Sequence, residues 1–173
     1  MPWRRPHHLP NEVFDGQRHV VSITTCTADQ RRWLGNEDLA VIAQDEVMRV
    51  HETAPVLGYC LMPDHVHFLL CNAEMPISRI MNLFKGRLSR RVRQIRPDLD
   101  QVWQASYWDH IVRREEGLYK VLQYILMNPV RAGLVEDWWT FPWLGSPMLG
   151  PIGPDFFGDV DAENIVWSEI LRV

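Results

Sequence analysis

The sequence lacks the features that mark a membrane protein or a disulfide-rich secreted protein. No apolar run approaches the roughly 18 residues that a membrane helix needs. The N-terminus MPWRRPHHLPNE is basic, but it has no hydrophobic segment of the kind found in secretory signals. Cysteine is scarce: Cys26, Cys60 and Cys71 are odd in number and widely spaced, which predicts reduced, buried thiols rather than a disulfide framework or a zinc cluster. We therefore expect a cytoplasmic protein that does not span a membrane.

An excess of positive charge is also missing, because the formal net charge is −4. A negative total argues at first against a nucleic-acid partner, but the distribution of charge matters more than its sum. No acidic residue occurs between Glu74 and Asp98, and the cations of that stretch are Arg79, Lys85, Arg87, Arg90, Arg91, Arg93 and Arg96. Acidic residues gather instead near the C-terminus, from Asp155 to Glu169. One face of a globally acidic protein can therefore be strongly positive.

Hydrophobic periodicity predicts one domain over residues 1–145, followed by a tail at 146–173 of unknown role. The predicted strands are 19–27, 55–62, 65–71 and 103–113, and the predicted helices are about 36–52, 76–95 and 116–128. Pro97 and Pro129 are expected to end the second and third helices, because the residue before proline disfavours helical geometry. The order β-α-β-β-α-β-α is typical of an α+β, ferredoxin-like split βαβ sandwich, with helices packed on an antiparallel sheet.

The motif His65-Val66-His67 is a candidate metal site. In a strand, residues two apart project to the same face, so the two imidazoles stand side by side while Val66 points into the opposite layer. Such a pair can hold one divalent ion. The alternative is that both histidines are polar strand residues that face solvent, and the motif alone does not decide between the two.

The helix around Tyr124 supplies a candidate nucleophile. Its predicted buried stripe consists of Leu118, Val121, Leu122, Ile125 and Leu126. Tyr124 and Asn128 are four residues apart, so they share one flank of that stripe with Lys120, whereas Tyr119 projects from the other flank. If this flank faces a metal, Tyr124 offers a nucleophile and Asn128 offers an oxygen ligand. The alternative is a tyrosine that packs at the edge of the core with its hydroxyl in water.

The cationic helix at 76–95 is a candidate nucleic-acid surface, because such a surface neutralises phosphates and releases counterions. A solvated charged face without a partner is the alternative. The candidate DNA-binding residues are Lys85, Arg87, Arg90, Arg91, Arg93 and, from the next helix, Lys120. The acidic tail suggests a further hypothesis, that it folds over this helix and competes with DNA.

Taken together, the segments MPDHVHFLL, FKGRLSRR, WQASYWDHIVR and YILMNPVRAGLV resemble the REP-associated tyrosine transposases, a branch of the single-tyrosine HUH nucleases. The resemblance extends over about residues 19–144, and the four segments in this order are far more specific than any one alone. It implies a ferredoxin-like fold, Mg²⁺ or Mn²⁺ on His65 and His67, and Tyr124 as nucleophile. Asn128 matches the position of a third ligand, often Gln in related transposases. The substrates it implies are single-stranded DNA hairpins from repetitive extragenic palindromes.

These assignments predict an enzyme that cuts single-stranded DNA through a covalent 5′-phosphotyrosine and rejoins it without ATP. A free tyrosine titrates near pH 10, so its phenol needs help to attack phosphorus at neutral pH. Two alternatives stay open: a metal-dependent phosphodiester hydrolase in which Tyr124 only orients the substrate, and a domesticated hairpin-DNA-binding protein without catalysis. The chain is expected to act as a monomer or a homodimer.

Overall fold

The computed structural model describes residues 18–72 and 75–158, which form the predicted α+β sandwich around one antiparallel sheet. The sheet has five strands in the order β4-β1-β3-β2-β5. The strands are β1 (His19–Cys26), β2 (Val56–Met62), β3 (His65–Asn72), β4 (Trp108–Ile111) and β5 (Leu144–Gly145). The order of the first four strands is that of the ferredoxin-like fold, so the predicted topology is confirmed.

Helices cover both faces of the sheet. They are α1 (Glu37–His51), α2 (Ile77–Ile95), α3 (Leu118–Leu126) and α4 (Asn128–Arg131). One core packs α1 and α2 against inward-facing strand residues that include Val66 and Phe68, and the other packs α3 against residues that include Leu69 and Cys71. Because successive strand residues point to opposite faces, His65 and His67 lie on the α3 side of β3.

Local signals in the sequence place the first two helices well. The Asn36 side chain accepts a hydrogen bond from the Leu39 N–H at 3.1 Å, and this cap starts α1. Pro76 directly precedes α2, where its missing N–H costs little. On the other face, α3 approaches β2 so closely at Gly58 that a Cβ there would collide with Leu122. Glycine at this position therefore sets the distance between helix and sheet.

The structure corrects three predicted boundaries. The fourth strand is shorter than 103–113, because Trp103 makes only an isolated bridge with Thr27 before β4 begins. The third helix ends at Leu126 rather than at 128, and Pro129 lies inside the separate short helix α4, where the first turn tolerates a missing N–H. Beyond the third predicted helix, where no further strand was expected, β5 pairs with β2 at Tyr59 and Cys60.

The described part of the C-terminal tail packs on the α3 face. The Ser146 hydroxyl donates to the Leu57 carbonyl at 2.5 Å, and the Met148 N–H donates to the Val56 carbonyl at 3.1 Å. Phe156 and Phe157 then pack against the core beneath α3. This part of the tail lies on the face opposite α2, so it does not cover the cationic helix. The acidic residues from 159 onward, like the N-terminal residues 1–17, lie outside the described residues.

The three cysteines are free and buried, as predicted, and they are not paired with one another. Burial raises the pKa of each thiol, and most strongly that of Cys60. None of the helices in the described part of the chain is long and apolar enough to cross a membrane.

Candidate functional site

The two histidines of β3 bring one ring nitrogen each to a common point. The Nε2 atoms of His65 and His67 are 3.1 Å apart, and the rings stand nearly perpendicular, with centroids 4.7 Å apart. His67 is 8% exposed, so this pair does not simply face solvent. The alternation predicted from the sequence is confirmed, and the pair forms a partly enclosed point of convergence on the α3 side.

A second contact fixes each imidazole from behind. The Nδ1 atom of His65 lies 2.6 Å from an Asp64 carboxylate oxygen, and Nδ1 of His67 lies 2.8 Å from the Thr24 hydroxyl. An ionised carboxylate only accepts hydrogen bonds, so the His65 Nδ1–H donates to Asp64, and Nε2 is the ring nitrogen that faces His67. A hydroxyl both donates and accepts, so Thr24 suits either tautomer of His67.

The environment keeps His67 neutral. Burial is the main cause that lowers its pKa to about 3, the nearby charges of His65 and Arg131 contribute in the same direction, and a hydrogen bond that the ring donates to the Asn128 side chain opposes them. A neutral imidazole is the form that binds a metal ion. At neutral pH, His67 is therefore in the ligand form.

Pro129 and Asn128 together determine which atom of the Asn128 amide reaches the histidines. Proline has no N–H to give to the Ile125 carbonyl four residues earlier. The Asn128 Nδ2 group donates instead to the carbonyls of Ile125 at 3.0 Å and Tyr124 at 3.1 Å. With its nitrogen engaged at the end of α3, the amide has its oxygen left for His67.

Tyr124 lies on the predicted flank of α3. Its side chain is 60% exposed, while Leu118, Leu122, Ile125 and Leu126 form the buried stripe. The rival Tyr119 packs edge-on against Phe157, with ring centroids 6.0 Å apart. The Asn128 side chain links the main chain of Tyr124 to His67. The structure therefore brings His65, His67, Asn128 and the backbone of Tyr124 into one contiguous group.

Arg131 joins this group, although no spacing in the sequence pointed to it. Its Nη2 atom donates to the Tyr124 carbonyl at 2.6 Å, and its guanidinium carbon lies 4.0 Å from the centre of the Tyr124 ring. Asp64 and Thr24 were also missed as contacts of the histidines. Asp64 is adjacent to the motif in sequence, so its contact with His65 is local, whereas the register of β1 and β3 places Thr24 opposite His67.

The donor set of the site is two imidazole nitrogens and one amide oxygen. Within residues 18–72 and 75–158, no group of three or more His, Cys, Asp and Glu side chains converges as a metal cluster. If the two histidines hold a metal ion, a third protein donor would come from another residue type, and Asn128 is the candidate because its side chain acts on the His67 ring. Two fixed imidazoles and an amide oxygen are donors suited to a divalent ion.

The candidate DNA-binding cations of α2 lie on the other face of the sheet and differ in their contacts. Arg91 pairs with Asp45 at 2.9 Å and with the buried Glu46 at 3.0 Å. Lys85 donates to the carbonyls of Gln104 and Ser106, and Arg93 donates to that of Asp100. Burial lowers the pKa of Lys85 to about 8. The candidates with an exposed side chain and no recorded partner among the described residues are Arg87, Arg90 and Lys120.

Comparison with known proteins places the chain among transposases. It is 29% identical over 102 residues to a protein of Haemophilus influenzae named as a candidate REP-associated tyrosine transposase, covering 51% of this chain and 58% of that protein. It is 25% identical over 125 residues to a REP-associated tyrosine transposase of Escherichia coli K12, covering 66% of this chain and 70% of the relative. The chain thus spans less than two thirds of the first relative.

A solved structure shares the fold. It is a REP-associated tyrosine transposase bound to a REP hairpin, with a TM-score of 0.62 and 16% identity, covering 83% of this chain and 82% of that one. The sequence model of the family described as "Transposase IS200 like" matches residues 14–128, which is more than half of the chain. That stretch contains the paired histidines, Tyr124 and Asn128. The chain therefore belongs to the IS200-like transposase family.

Proposed function

We propose that this protein cuts and rejoins single-stranded DNA through a covalent bond to Tyr124. The single observation that carries the proposal is the convergence of the His65 and His67 Nε2 atoms beside an amide that also holds the end of the Tyr124 helix. A binding module has no need of two fixed imidazoles beside the end of a helix that carries an exposed tyrosine. The family membership supports the same conclusion.

The proposed cofactor is one divalent ion, Mg²⁺ or Mn²⁺, held by Nε2 of His65, Nε2 of His67 and the Asn128 side-chain oxygen. Imidazole donors alone favour manganese or zinc over magnesium, so the choice of metal follows the resemblance to the HUH nucleases. Such an ion supplies a positive charge that polarises a phosphodiester and neutralises its non-bridging oxygens. Asp64 and Thr24 support the ligands by fixing the two rings.

In the proposed reaction, the Tyr124 phenol oxygen attacks the scissile phosphorus. A bond forms between that oxygen and phosphorus, and the bond to the 3′-oxygen of the upstream strand breaks. The proton lost by the phenol is balanced by the proton gained by the departing 3′-hydroxyl. Because the phosphodiester energy is kept in the 5′-phosphotyrosine, a 3′-hydroxyl can reverse the step and join DNA without ATP.

The proposed substrate is a single-stranded DNA hairpin, because the relatives are named for repetitive extragenic palindromes. Arg87, Arg90 and Lys120 are the exposed cations proposed to contact its phosphates. The logarithm of the binding constant falls with the logarithm of the salt concentration, and each phosphate contact that is lost should make this slope shallower by roughly 0.7–0.9. Hairpin-binding titrations of Arg87→Ala and Arg90→Ala at several salt concentrations measure this directly. An unchanged slope would show that the substituted residue does not contact a DNA phosphate.

The decisive experiment looks for the covalent product. The protein is incubated with hairpin DNA labelled at its 3′ end and Mn²⁺, then separated on a denaturing gel, because the fragment that stays on Tyr124 carries the 3′ end. The wild type is expected to give a labelled protein band, and Tyr124→Phe none. Tyr119→Phe is the matched control, since it removes a phenol from the same helix, and its band is expected to persist. Equal labelling of Tyr124→Phe and wild type would sink the proposal.

Metal dependence is tested in the same assay. His65→Ala, His67→Ala and EDTA are each expected to abolish the labelled band. Cleavage with multiple turnover and no protein-bound DNA would instead establish a hydrolase. Hairpin binding that survives EDTA and Tyr124→Phe, with no cleavage by the wild type, would establish a non-catalytic binder. Size-exclusion chromatography with light scattering distinguishes the predicted monomer from the predicted homodimer.

A further inference from the structure

Arg131 lies across the proposed nucleophile and holds it at two points. Its guanidinium carbon is 4.0 Å from the centre of the Tyr124 ring, and its Nη2 atom donates to the carbonyl of the same residue at 2.6 Å. The bond to the carbonyl anchors the guanidinium, and the anchored plane then covers one face of the ring. Both contacts of Arg131 are therefore with a single residue.

Without such a contact, the exposed Tyr124 ring would be free to change its rotamer. Its side chain is 60% exposed, and exposed side chains change rotamer on the picosecond-to-nanosecond timescale. A cation over an exposed aromatic ring shifts the balance between ring orientations by about 2- to 5-fold, which favours one orientation over its alternatives. For an attacking group, orientation matters strongly, because a misplacement of about 1 Å can cost roughly a hundredfold in rate.

Arg131 is held in place by the same interruption between α3 and α4 that orients Asn128. The short helix α4 begins at Asn128 and ends at Arg131. The Arg131 N–H bonds to the Met127 carbonyl at 3.1 Å, which fixes its backbone relative to the end of α3. One tight segment therefore presents an amide to the histidines and a guanidinium to the tyrosine.

We propose that Arg131 is a positioning residue, which holds the Tyr124 phenol in the orientation from which it attacks DNA. This inference rests on the proposed function, and it assigns to the same site a group outside the paired histidines, the tyrosine and the amide. A different role, in which Arg131 binds a DNA phosphate, predicts a loss of affinity. The positioning role predicts a loss of rate when the protein is saturated with DNA.

The test is a single-turnover measurement of covalent adduct formation with 3′-labelled hairpin DNA and Mn²⁺, over a range of protein concentrations. Arg131→Ala is expected to lower the limiting rate by about 2- to 5-fold while the apparent dissociation constant changes little. Arg131→Lys keeps the charge and a donor for the carbonyl but has no plane to lie on the ring. Its limiting rate is expected between those of Arg131→Ala and the wild type.

Arg114→Ala is the matched control, because Arg114 is an exposed arginine just before α3, and it should leave both quantities unchanged. Thermal unfolding of each variant separates a loss of folding from a loss of positioning. If Arg131→Ala does not fold, the test rests on the limiting rate of Arg131→Lys. A limiting rate equal to that of the wild type overturns the inference.

Other results are equally decisive. A full limiting rate for Arg131→Ala, or a deficit that disappears at saturating DNA, overturns the positioning role. Wild-type protein without any adduct indicates that the proposed function itself is wrong. An adduct that is lost in Tyr124→Phe but kept at full rate in Arg131→Ala leaves the proposed function intact and removes only the role of Arg131.

Discussion

The coupling between Asn128 and Pro129 can be measured as a stability effect that does not depend on any DNA assay. Asn128→Ala removes two hydrogen bonds from the Asn128 side chain to main-chain carbonyls, those of Tyr124 and Ile125. At about 0.5–1.5 kcal/mol for each bond, the free energy of unfolding should fall by about 1–3 kcal/mol. Asn128→Asp should cost more than alanine, because a carboxylate offers no donor and places a negative oxygen against both carbonyls.

Pro129→Ala supplies the second half of a double-mutant cycle. Alanine at this position brings back an N–H that can donate to the Ile125 carbonyl, so one of the two functions of the Asn128 amide becomes redundant. In this background, Asn128→Ala should cost about 0.5–1.5 kcal/mol less than in the wild type. The four proteins are compared by urea unfolding at equilibrium. Costs that add within about 0.3–0.5 kcal/mol would refute the idea that Pro129 dictates the orientation of the amide.

Three further predictions concern stability. Gly58→Ala should destabilise by about 1–3 kcal/mol through overpacking between α3 and β2, whereas Gly86→Ala, in open space on α2, should stabilise by about 0.4–1 kcal/mol; both are read from urea midpoints. Arg91→Ala should cost about 1–3 kcal/mol in the same assay because it removes a partner of the buried Glu46, and a neutral effect would contradict the pairing. Burial lowers the pKa of Lys85 to about 8, so below that pH the folded protein carries a buried charge that opposes folding. The unfolding free energy of the wild type, relative to that of Lys85→Met, should therefore rise as the pH increases from 8 towards the ordinary pKa of lysine. A difference that does not change with pH would refute this.

The sequence contained the pattern of the sheet and the faces on which the candidate site residues lie, because both depend on local periodicity. Alternation along β3 was sufficient to place His65 and His67 on one face and Val66 on the other. The helical repeat was sufficient to place Tyr124 and Tyr119 on different flanks of α3. In the structure Tyr124 is exposed, and Tyr119 packs against Phe157.

Contacts between distant segments could not be predicted from the same patterns. Thr24 meets His67 only through the register of β1 against β3. Arg91 appeared available for DNA because the acids that pair with it, Asp45 and Glu46, lie on another helix. The two-residue strand β5 is too short to produce an alternating pattern, and it exists because the edge of β2 accepts it.

The position of α4 was missed for a different reason. Pro129 predicts the end of a helix, because proline removes an N–H from the helical ladder. In this chain the lost donor is replaced by the Asn128 side chain, and a new turn starts at once. A rule about backbone donors could not anticipate a side chain that substitutes for one, and Arg131 was overlooked together with that turn.

The burial of all three thiols has a practical consequence for studying DNA engagement. Cys26, Cys60 and Cys71 are at most 4% exposed, and their raised pKa values keep the reactive thiolate rare at neutral pH. The native chain should therefore react slowly with maleimide dyes. A single cysteine introduced at the exposed Lys120 would be labelled selectively, without first removing the native ones, and its fluorescence could report when a hairpin arrives beside α3.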